Sequence, residues 1–383
     1  MNDVFITDIS AFLPNSPVSN DDIEKCLGIS DIVSQRIKKI VLKTNDIQTR
    51  YYALDPETGR QTHTNTQLTV EAIRLLKPYS GFSLDDIECL CCGTSTPDQL
   101  MPGHGLMVHG ELKNGPCEVV TTSGICISGI MAMKYAYMNI AIGLVNNAIA
   151  TGSDLASSFI SANFYGGVGD RKRSVLKKED MLTFDSSFLR WMLSDGAGAV
   201  FMTGKRPDTF PALKIEWIEE VSFASEYETC MYAGAKKDRK GRLTGWRGYP
   251  SQSDAVRDGA FLIQQDVKLL NSNILHVSVE KTLPFVIRKH GLIASQVDWL
   301  APHYSSGYFR QRYYDHLKEF GFEIPFDKWF TNLSSKGNTG AASIFIILEE
   351  LFHSGRLKKG ERILCFIPES GRFSIAYVML TVI

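Results

Sequence analysis

The sequence predicts an α/β fold made of two similar lobes. Short apolar strand candidates alternate with helical patterns in the first half of the chain, and the same order returns in the second half. The chain has 383 residues and 44% hydrophobic content, enough to bury a large core in two domains or in one double-layered unit. We therefore expect a first lobe of residues 1–205 and a second lobe of residues 206–383.

The individual elements are predicted from periodicity and capping residues. Strands are expected at residues 4–9, 87–92, 117–121, 147–152, 198–202, 215–223, 297–303, 362–367 and 374–382. Helices are expected after the capping residue Ser19, within 261–290, from His303 to about residue 320, and at 68–76, 103–112, 126–142 and 341–354. Two polar, charged segments, 157–190 and 233–253, interrupt this order. They suit lids or partner surfaces and equally suit solvated insertions.

Composition excludes several classes of function. Forty-one basic residues balance 42 acidic ones, so no strong field attracts nucleic acid or an anionic membrane. The apolar stretch 125–150 contains Lys134 and several asparagines, which favours a buried helix and strand over a bilayer span. No signal peptide is evident, so we expect a cytoplasmic protein whose eight cysteines are reduced. Cys89, Cys91 and Cys92 alternate between strand faces, so we expect no metal site.

Cys126 is the first candidate for a reactive residue. It lies in Thr121-Thr122-Ser123-Gly124-Ile125-Cys126, after a strand candidate and at the start of a long helix. Unpaired amides and the helix dipole at such a position favour the thiolate, the nucleophilic form of cysteine. The alternative is that Cys126 is a small buried residue like the other seven cysteines.

Three further positions are candidates with equally plain alternatives. His303 ends an apolar strand, where active-site residues of α/β sheets collect, but the chain has seven other histidines. Asn338 lies in the glycine-rich run Lys336-Gly337-Asn338-Thr339-Gly340, where it could also cap or turn the chain. Gly371 follows a strand candidate and could be a hairpin turn. Each residue alone is weak evidence for a site.

Taken together and in order, these motifs resemble the β-ketoacyl-acyl-carrier-protein synthase III family of the thiolase superfamily. The resemblance lies in the segment from Pro102 to Cys126 and in the runs Ala148 to Asp154, Ser194 to Ala199, Val297 to His303 and Gly337 to Ser343. It covers nearly the whole chain. It implies the thiolase fold, with two similar lobes in a layered αβαβα arrangement.

The resemblance also implies the chemistry of the site. Cys126 would carry an acyl group, and His303 and Asn338 would activate a second thioester for carbon–carbon bond formation. The amides of Cys126 and Gly371 would form the oxyanion hole. Met101, which would reach the neighbouring subunit of a homodimer, would line the substrate pocket with Tyr304 and Ser305. No cofactor is implied, because an acyl carrier protein's phosphopantetheine or coenzyme A delivers the acyl groups.

Departures from the family pattern suggest one branch of it. The family's usual His-Gln-Ala-Asn is His303-Tyr304-Ser305-Ser306, and the closing Gly-Gly-Gly is Ser370-Gly371-Arg372. The run from His303 to Phe309 is similar to ketosynthases that make dialkylresorcinols and 1,3-cyclohexanediones. These would join a 3-oxoacyl thioester to an unsaturated acyl group. The alternatives are a decarboxylative synthase III that uses malonyl-carrier and a non-catalytic partner subunit.

Other classes fit the sequence less well. A plant-type chalcone synthase would show a Gly-Phe-Gly-Pro-Gly loop, which is missing. A degradative thiolase needs a second catalytic cysteine near the closing glycine loop, whereas Cys365 sits within a strand candidate. A serine hydrolase would show a Gly-x-Ser-x-Gly elbow around its nucleophile, and neither Ser123 nor Ser194 has one. We also expect the basic clusters near Arg171 and Lys236 to suit an acidic carrier protein, unless they are solvated loops.

Overall fold

A nine-stranded sheet runs through both halves of the protein. The computed structural model describes residues 2–28, 35–162, 188–238 and 240–383. In chain order the strands are β1 (Phe5–Phe12), β2 (Val18–Ser19), β3 (Thr49–Arg50), β4 (Cys89–Thr94), β5 (Glu118–Ser123), β6 (Asn147–Asp154), β7 (Gly196–Thr203), β8 (Leu213–Ser222), β9 (Met231–Tyr232), β10 (Ala235–Lys237), β11 (Leu243–Gly245), β12 (Gln264–Gln265), β13 (Trp299–Pro302), β14 (Arg362–Glu369) and β15 (Ser374–Val382). The large sheet has the order β13-β14-β15-β8-β1-β7-β6-β4-β5, and the other strands form two-stranded ribbons.

The two halves of this sheet repeat one topology. In the first half, β4 pairs in parallel with β6, and β6–β7 and β7–β1 are antiparallel. In the second half, β13 pairs in parallel with β14, and β14–β15 and β15–β8 are antiparallel. The halves meet where β1 and β8 pair, with Phe5 opposite Lys214. The predicted fold class with two similar lobes is therefore confirmed. The boundary near residue 205 falls between β7 and β8 and stays a prediction.

Helices cover the sheet in layers. They are α1 (Ile23–Leu27), α2 (Gln35–Thr44), α3 (Asn65–Arg74), α4 (His104–Leu112), α5 (Ser128–Ala141), α6 (Ser157–Ile160), α7 (Gln252–Arg257), α8 (Val267–Leu275), α9 (Leu283–His290), α10 (Arg310–Glu319), α11 (Leu333–Lys336) and α12 (Ser343–His353). Helices α3 and α4 pack on the outer face of the first lobe, and α8 to α10 on the outer face of the second. Helices α5 and α12 share the central core with strands of both lobes.

Glycines allow the close packing of the central layer. A Cβ on Gly129 of α5 would lie 2.5 Å from the Phe345 ring of α12. A Cβ on Gly152 of β6 would lie 2.2 Å from the carbonyl oxygen of Ala341. Such distances are far below van der Waals contact, so only glycine lets the two lobes approach this closely. This contact fixes the second-lobe segment 337–343 against the end of β6.

Most element predictions agree with the structure, and three differ. The helix expected from His303 begins only at Arg310, after a 3₁₀ turn at Gly307–Phe309. The helix expected after Ser19 begins only at Ile23, because Ser19 pairs in β2 and its hydroxyl donates to the Asp22 carboxylate. The segment 261–290 contains β12 before its helix begins at Val267, where the Asp266 carboxylate caps the Leu269 amide. A π-helical turn, His276–Thr282, joins α8 to α9.

The two polar segments have different outcomes. Most of 157–190 lies outside the described residues, and so does the basic cluster near Arg171. The second segment forms the β10–β11 hairpin and a 3₁₀ turn at Trp246–Gly248, and it ends in the first residues of the short helix α7. Its Lys237 ammonium lies within 3.2 Å of the Glu228 and Asp266 carboxylates, and Arg242 pairs with Asp238. Part of the expected basic cluster is therefore neutralised within the chain.

Two further findings concern the described ranges. None of their helices is long and apolar enough to cross a membrane. They contain no group of three His, Cys, Asp or Glu side chains placed to hold a metal ion. Cys89 and Cys91 pack in the central core with their sulfurs 3.5 Å apart, whereas Cys92 packs in the outer core of the first lobe.

Candidate active site

A small cavity lies where the two lobes meet, at the ends of their central strands. Cys126 and Asp154 line it from the first lobe, and Ser305 and Asn338 line it from the second. Ligand sites in open α/β sheets collect at such strand ends because the loops there converge. The cavity therefore holds two of the three residues predicted to be catalytic and the near neighbour of the third, His303.

Cys126 lies in the turn between β5 and α5, and its side chain is 7% exposed. The amides on either side of it are occupied: Ile125 N and Ile127 N donate to one carboxylate oxygen of Glu369, at 2.9 and 3.3 Å. Within the described part of the chain, the Cys126 amide donates to no other residue. In the described part of the chain this amide contacts only its own thiol, so it can turn to a substrate oxygen, as the oxyanion-hole prediction requires.

The electrostatics of Cys126 differ from the sequence expectation. Burial, followed by the charges of Glu369 and Asp154, raises the pKa of the Cys126 thiol well above its usual value. The sequence argument assumed free amides at the helix start. Since the Glu369 carboxylate occupies two of them, the helix terminus is already compensated. Cys126 is therefore a neutral thiol at rest.

His303 follows β13 and is 3% exposed. Its amide donates to Phe366 O at 2.8 Å, which ties it to the neighbouring strand β14. Burial lowers the pKa of His303 to about 4, so the imidazole is neutral at pH 7. Its Nε2 is buried with no hydrogen-bond partner among the described residues. An unpartnered ring nitrogen of this kind can donate to, or accept from, a bound substrate.

Asn338 is held in a turn by backbone contacts with the first lobe. Its amide donates to Met192 O, and its carbonyl accepts from Ser194 N, at 3.0 and 2.8 Å. Its Oδ1 accepts from Gly340 N at 3.0 Å. The Nδ2 group donates to none of the described residues, so it remains available to a substrate oxygen.

Asp154 organises the wall beside Asn338. One of its carboxylate oxygens accepts from Ser95 N, Ser95 Oγ and two threonine hydroxyls, while the other accepts from Ala341 N at 2.7 Å. A Cβ on Gly340 would lie 2.1 Å from Asp154 Oδ2, and Gly340 has a positive φ of 55°. Only glycine fits there, which explains the Gly-Asn-Thr-Gly turn.

Gly371 lies in the turn between β14 and β15, next to the cavity residue Ser370. Its carbonyl accepts from the amides of Cys230 and Met231. Its own amide donates to no group in the described ranges. A Cβ here would lie 2.9 Å from Ile125 Cδ1, so the glycine lets this turn touch the Cys126 turn.

The three residues predicted to line the substrate pocket lie in three different environments. Ser305 lines the cavity. Tyr304 does not, because its side chain points into the core of the second lobe. Met101 is 80% exposed on a loop and lies away from this subunit's cavity. Its assignment to a neighbour's pocket stays a prediction.

Sequence reasoning missed the ribbon β9–β12 and Glu369. Met231, Ile263 and Gln265 line the cavity, and the Gln265 amide donates to Ser370 Oγ at 2.7 Å. The ribbon thus forms the wall facing the Gly371 turn. No local motif marks these residues. The one sequence signal for the ribbon was that its strands are short stretches between turn-rich segments.

Comparison with known proteins points to the class of enzyme expected from the sequence, a condensing acyltransferase. The sequence model of the 3-oxoacyl-[acyl-carrier-protein (ACP)] synthase III C-terminal family matches residues 287–371, which include His303, Asn338 and Gly371. The β-ketoacyl-[acyl-carrier-protein] synthase III of Chlamydia caviae is 24% identical over 92% of this chain and 90% of its own length. The enzyme of the same name from Clostridium perfringens is 25% identical over 92% and 91%.

Solved structures share the fold. Xanthomonas campestris OleA with bound lauric acid and lauroyl-CoA superposes with a TM-score of 0.75 at 19% identity, covering 100% of this chain and 99% of OleA. AbyA1, a tetronic acid condensing enzyme, gives 0.73 at 18% identity over 99% of both chains. The thiolase fold is therefore confirmed. The sequence is similar to synthase III enzymes over nearly its whole length, and the expected enzyme class, an acyltransferase of the condensing type, is confirmed.

Proposed function

We propose that this chain is a ketosynthase that joins two acyl thioesters through an acyl-Cys126 intermediate. The observation that carries the proposal is that Cys126 and Asn338 line one buried cavity. His303, whose Nε2 has no partner among the described residues, precedes the cavity residue Ser305 by two positions in the chain. The cavity joins the two lobes, so a thioester bound there can meet groups from both.

The first half-reaction loads the enzyme. Cys126 Sγ bonds to the thioester carbonyl carbon, and the carrier thiol leaves with the proton lost by Cys126. The neutral His303 is the group suited to move that proton. The tetrahedral oxyanion accepts from the Cys126 and Gly371 amides, neither of which donates to another residue in the described ranges.

The second half-reaction forms the carbon–carbon bond. His303 Nε2 and Asn338 Nδ2 donate to the carbonyl oxygen of the second thioester and stabilise its enolate. The enolate carbon bonds to the acyl group held on Cys126, and the acyl–Sγ bond then breaks, which releases the product and restores the Cys126 thiol. Asn338 cannot titrate, and His303 is neutral, so the pair stabilises a developing anion without protonating the carbon nucleophile.

We further propose that the second thioester is a 3-oxoacyl thioester and that the Cys126 acyl group is α,β-unsaturated. The carbon between two carbonyl groups is acidic enough to lose a proton without loss of carbon dioxide. His303 is the candidate base: its Nε2 would take that proton and then donate it in the hydrogen bond to the enolate oxygen. Addition of this carbon to the unsaturated acyl group would return the proton to the acyl α-carbon. A Claisen closure onto the Cys126 thioester would then release the Cys126 thiol and give a cyclohexanedione or resorcinol precursor. Support comes from the run His303-Tyr304-Ser305-Ser306, which resembles that branch.

Delivery and assembly complete the proposal. The acyl groups would arrive on an acyl carrier protein or on coenzyme A, and a second copy of this chain would be the structural partner. Strand β5 is the sheet edge and pairs only with β4 among the described strands. Leu100, Met101 and Leu106 are exposed near it. An open edge flanked by apolar side chains suits pairing with a second copy.

Product analysis tests the choice of substrate. The purified protein is incubated with an unsaturated acyl thioester and either a malonyl or a 3-oxoacyl thioester, and product masses are measured. The proposal expects a cyclic product from the 3-oxoacyl substrate without carbon dioxide release. A linear β-keto product from malonyl thioester alone would instead establish the decarboxylative alternative. Failure of every thioester to load onto Cys126 would favour a non-catalytic partner subunit.

A further inference from the structure

Glu369 is a buried carboxylate that the proposed reaction does not use. It ends β14 and reaches from the second lobe to the turn that holds Cys126 in the first. Its Oε2 accepts from Ile125 N at 2.9 Å and from Ile127 N at 3.3 Å. The carboxylate therefore holds the peptide units on both sides of Cys126 and does not engage the Cys126 amide itself.

The surrounding chain is shaped to receive this carboxylate. A Cβ on Gly124 would lie 3.4 Å from Glu369 Oε2, and a Cβ on Gly371 would lie 3.0 Å from Oε1. The carboxylate is thus wedged between the nucleophile turn and the turn of the expected oxyanion hole. Since a 14-residue helix begins directly after the first of these turns, Glu369 occupies amides that would otherwise stabilise an anion there.

We propose that Glu369 is a positioning residue that clamps the nucleophile turn across the two lobes, and that its negative charge holds Cys126 as a neutral thiol until substrate is bound. The direction of the electrostatic effect agrees, because burial and then Glu369 raise the pKa of Cys126. A thiol that stays protonated at rest resists oxidation and alkylation. Its proton then leaves only when a thioester occupies the cavity.

Two further acidic residues near Glu369 add to the negative charge around the nucleophile turn. Burial is the main cause that raises the pKa of Glu369, while the Ile125 and Ile127 amides oppose it. Glu220 on β8 and Asp154 on β6 raise it further. Lys134 on α5 is the cation of this group, and it acts on Glu220. Acidic charge therefore dominates behind the nucleophile turn.

The test uses thiol chemistry and needs no substrate, so it is independent of the proposed condensation. The rate at which iodoacetamide alkylates Cys126 is measured against pH by peptide mass mapping in the full-length wild type. The same is done for Glu369→Gln, which keeps an acceptor oxygen for the amides but removes the charge. Glu361→Gln is the matched control. Glu361 is a second-lobe glutamate whose carboxylate likewise accepts two hydrogen bonds, but from Trp299 and Lys358 instead of the amides beside Cys126.

The proposal expects the wild-type alkylation rate of Cys126 to reach its half-maximum at a pH above about 8.5, the usual pKa of cysteine. It expects Glu369→Gln to lower the midpoint by about one pH unit, so that alkylation below the midpoint is about tenfold faster. Glu361→Gln should behave as the wild type. An unchanged or higher midpoint in a folded Glu369→Gln protein would overturn the proposal. If that variant fails to fold, a wild-type midpoint at or below about 8.5 would overturn it equally.

Discussion

The carboxylate of Asp154, at the end of a first-lobe strand, accepts a hydrogen bond from the backbone amide of Ala341 in the second lobe at 2.7 Å. The same carboxylate accepts from Ser95 and from the hydroxyls of Thr94 and Thr96. One buried side chain therefore joins the lobes and fixes the turn that carries Asn338.

Removing this carboxylate should destabilise the protein. Asp154→Ala leaves several buried donors without an acceptor, and each such donor costs about 1–3 kcal/mol. We therefore expect Asp154→Ala to lose at least about 3 kcal/mol of unfolding free energy in urea, and Asp154→Asn to lose less because it keeps one acceptor oxygen. Equal stability of Asp154→Ala and the wild type would contradict the role given to this contact.

A substitution at Asn338 should affect the two half-reactions differently. Asn338→Ala should still load an acyl group onto Cys126, but it should condense about 10²–10³-fold more slowly, because one enolate donor is lost. Single-turnover measurements of loading and of product formation distinguish the steps. Asn146→Ala, at an exposed asparagine of the first lobe, is the matched control and should retain both rates. Loss of loading in a folded Asn338→Ala protein would contradict this division.

The turn at Gly371 should tolerate no side chain. A Cβ there would lie 2.9 Å from Ile125 Cδ1 and 3.0 Å from Glu369 Oε1, so Gly371→Ala must displace an oxyanion donor. We expect acyl loading to slow by at least about tenfold. The control is Gly110→Ala, where an added Cβ meets nothing within 4 Å and α4 gains helix propensity. Equal loading rates in the two variants would rule out the Gly371 amide as a donor.

Stability should depend on pH through His303. Burial lowers its pKa from 6.5 to about 4, so below pH 6.5 the unfolded chain takes up a proton that the folded protein does not. Stability from this group is therefore full above pH 6.5 and falls as the pH drops towards 4, by about 3 kcal/mol.

Urea unfolding between pH 7 and pH 4 checks this dependence. His303→Gln has no titrating group at this position, so its unfolding free energy should fall less than that of the wild type over this range. Because His104 is also buried with a pKa lowered to about 4, the wild-type curve alone is not diagnostic. Parallel curves for the wild type and His303→Gln would contradict the buried, neutral imidazole.

Local sequence patterns predicted most of the fold and selected the candidate reactive residues. Apolar runs such as 374–382 became strands with the expected bounds, because burial of a central strand requires continuous hydrophobic residues. Cys126, His303 and Asn338 were found through motifs in a fixed order. Cys126 and Asn338 then proved to share a cavity although they are far apart in the chain.

What the sequence did not predict depends on long-range contacts. Glu369 lies far along the chain from Ile125, and nothing local shows that its carboxylate caps the amides beside Cys126. The prediction of a stabilised thiolate was wrong because burial, and then the charge of Glu369, raise the pKa of Cys126. Tyr304 was assigned to the pocket, but the chain turns after β13 and directs its side chain into the core. Both errors concern side-chain direction, which periodicity alone does not give.

The central claim is that Cys126 carries the acyl group. Its most direct test is the intact mass of the protein after mixing with a panel of acyl-carrier and coenzyme A thioesters. We predict one added acyl mass in the wild type and in Cys117→Ala, a control at a more exposed cysteine, and none in Cys126→Ala. Wild-type protein that takes up no acyl group, or an adduct that persists in Cys126→Ala, would contradict the claim.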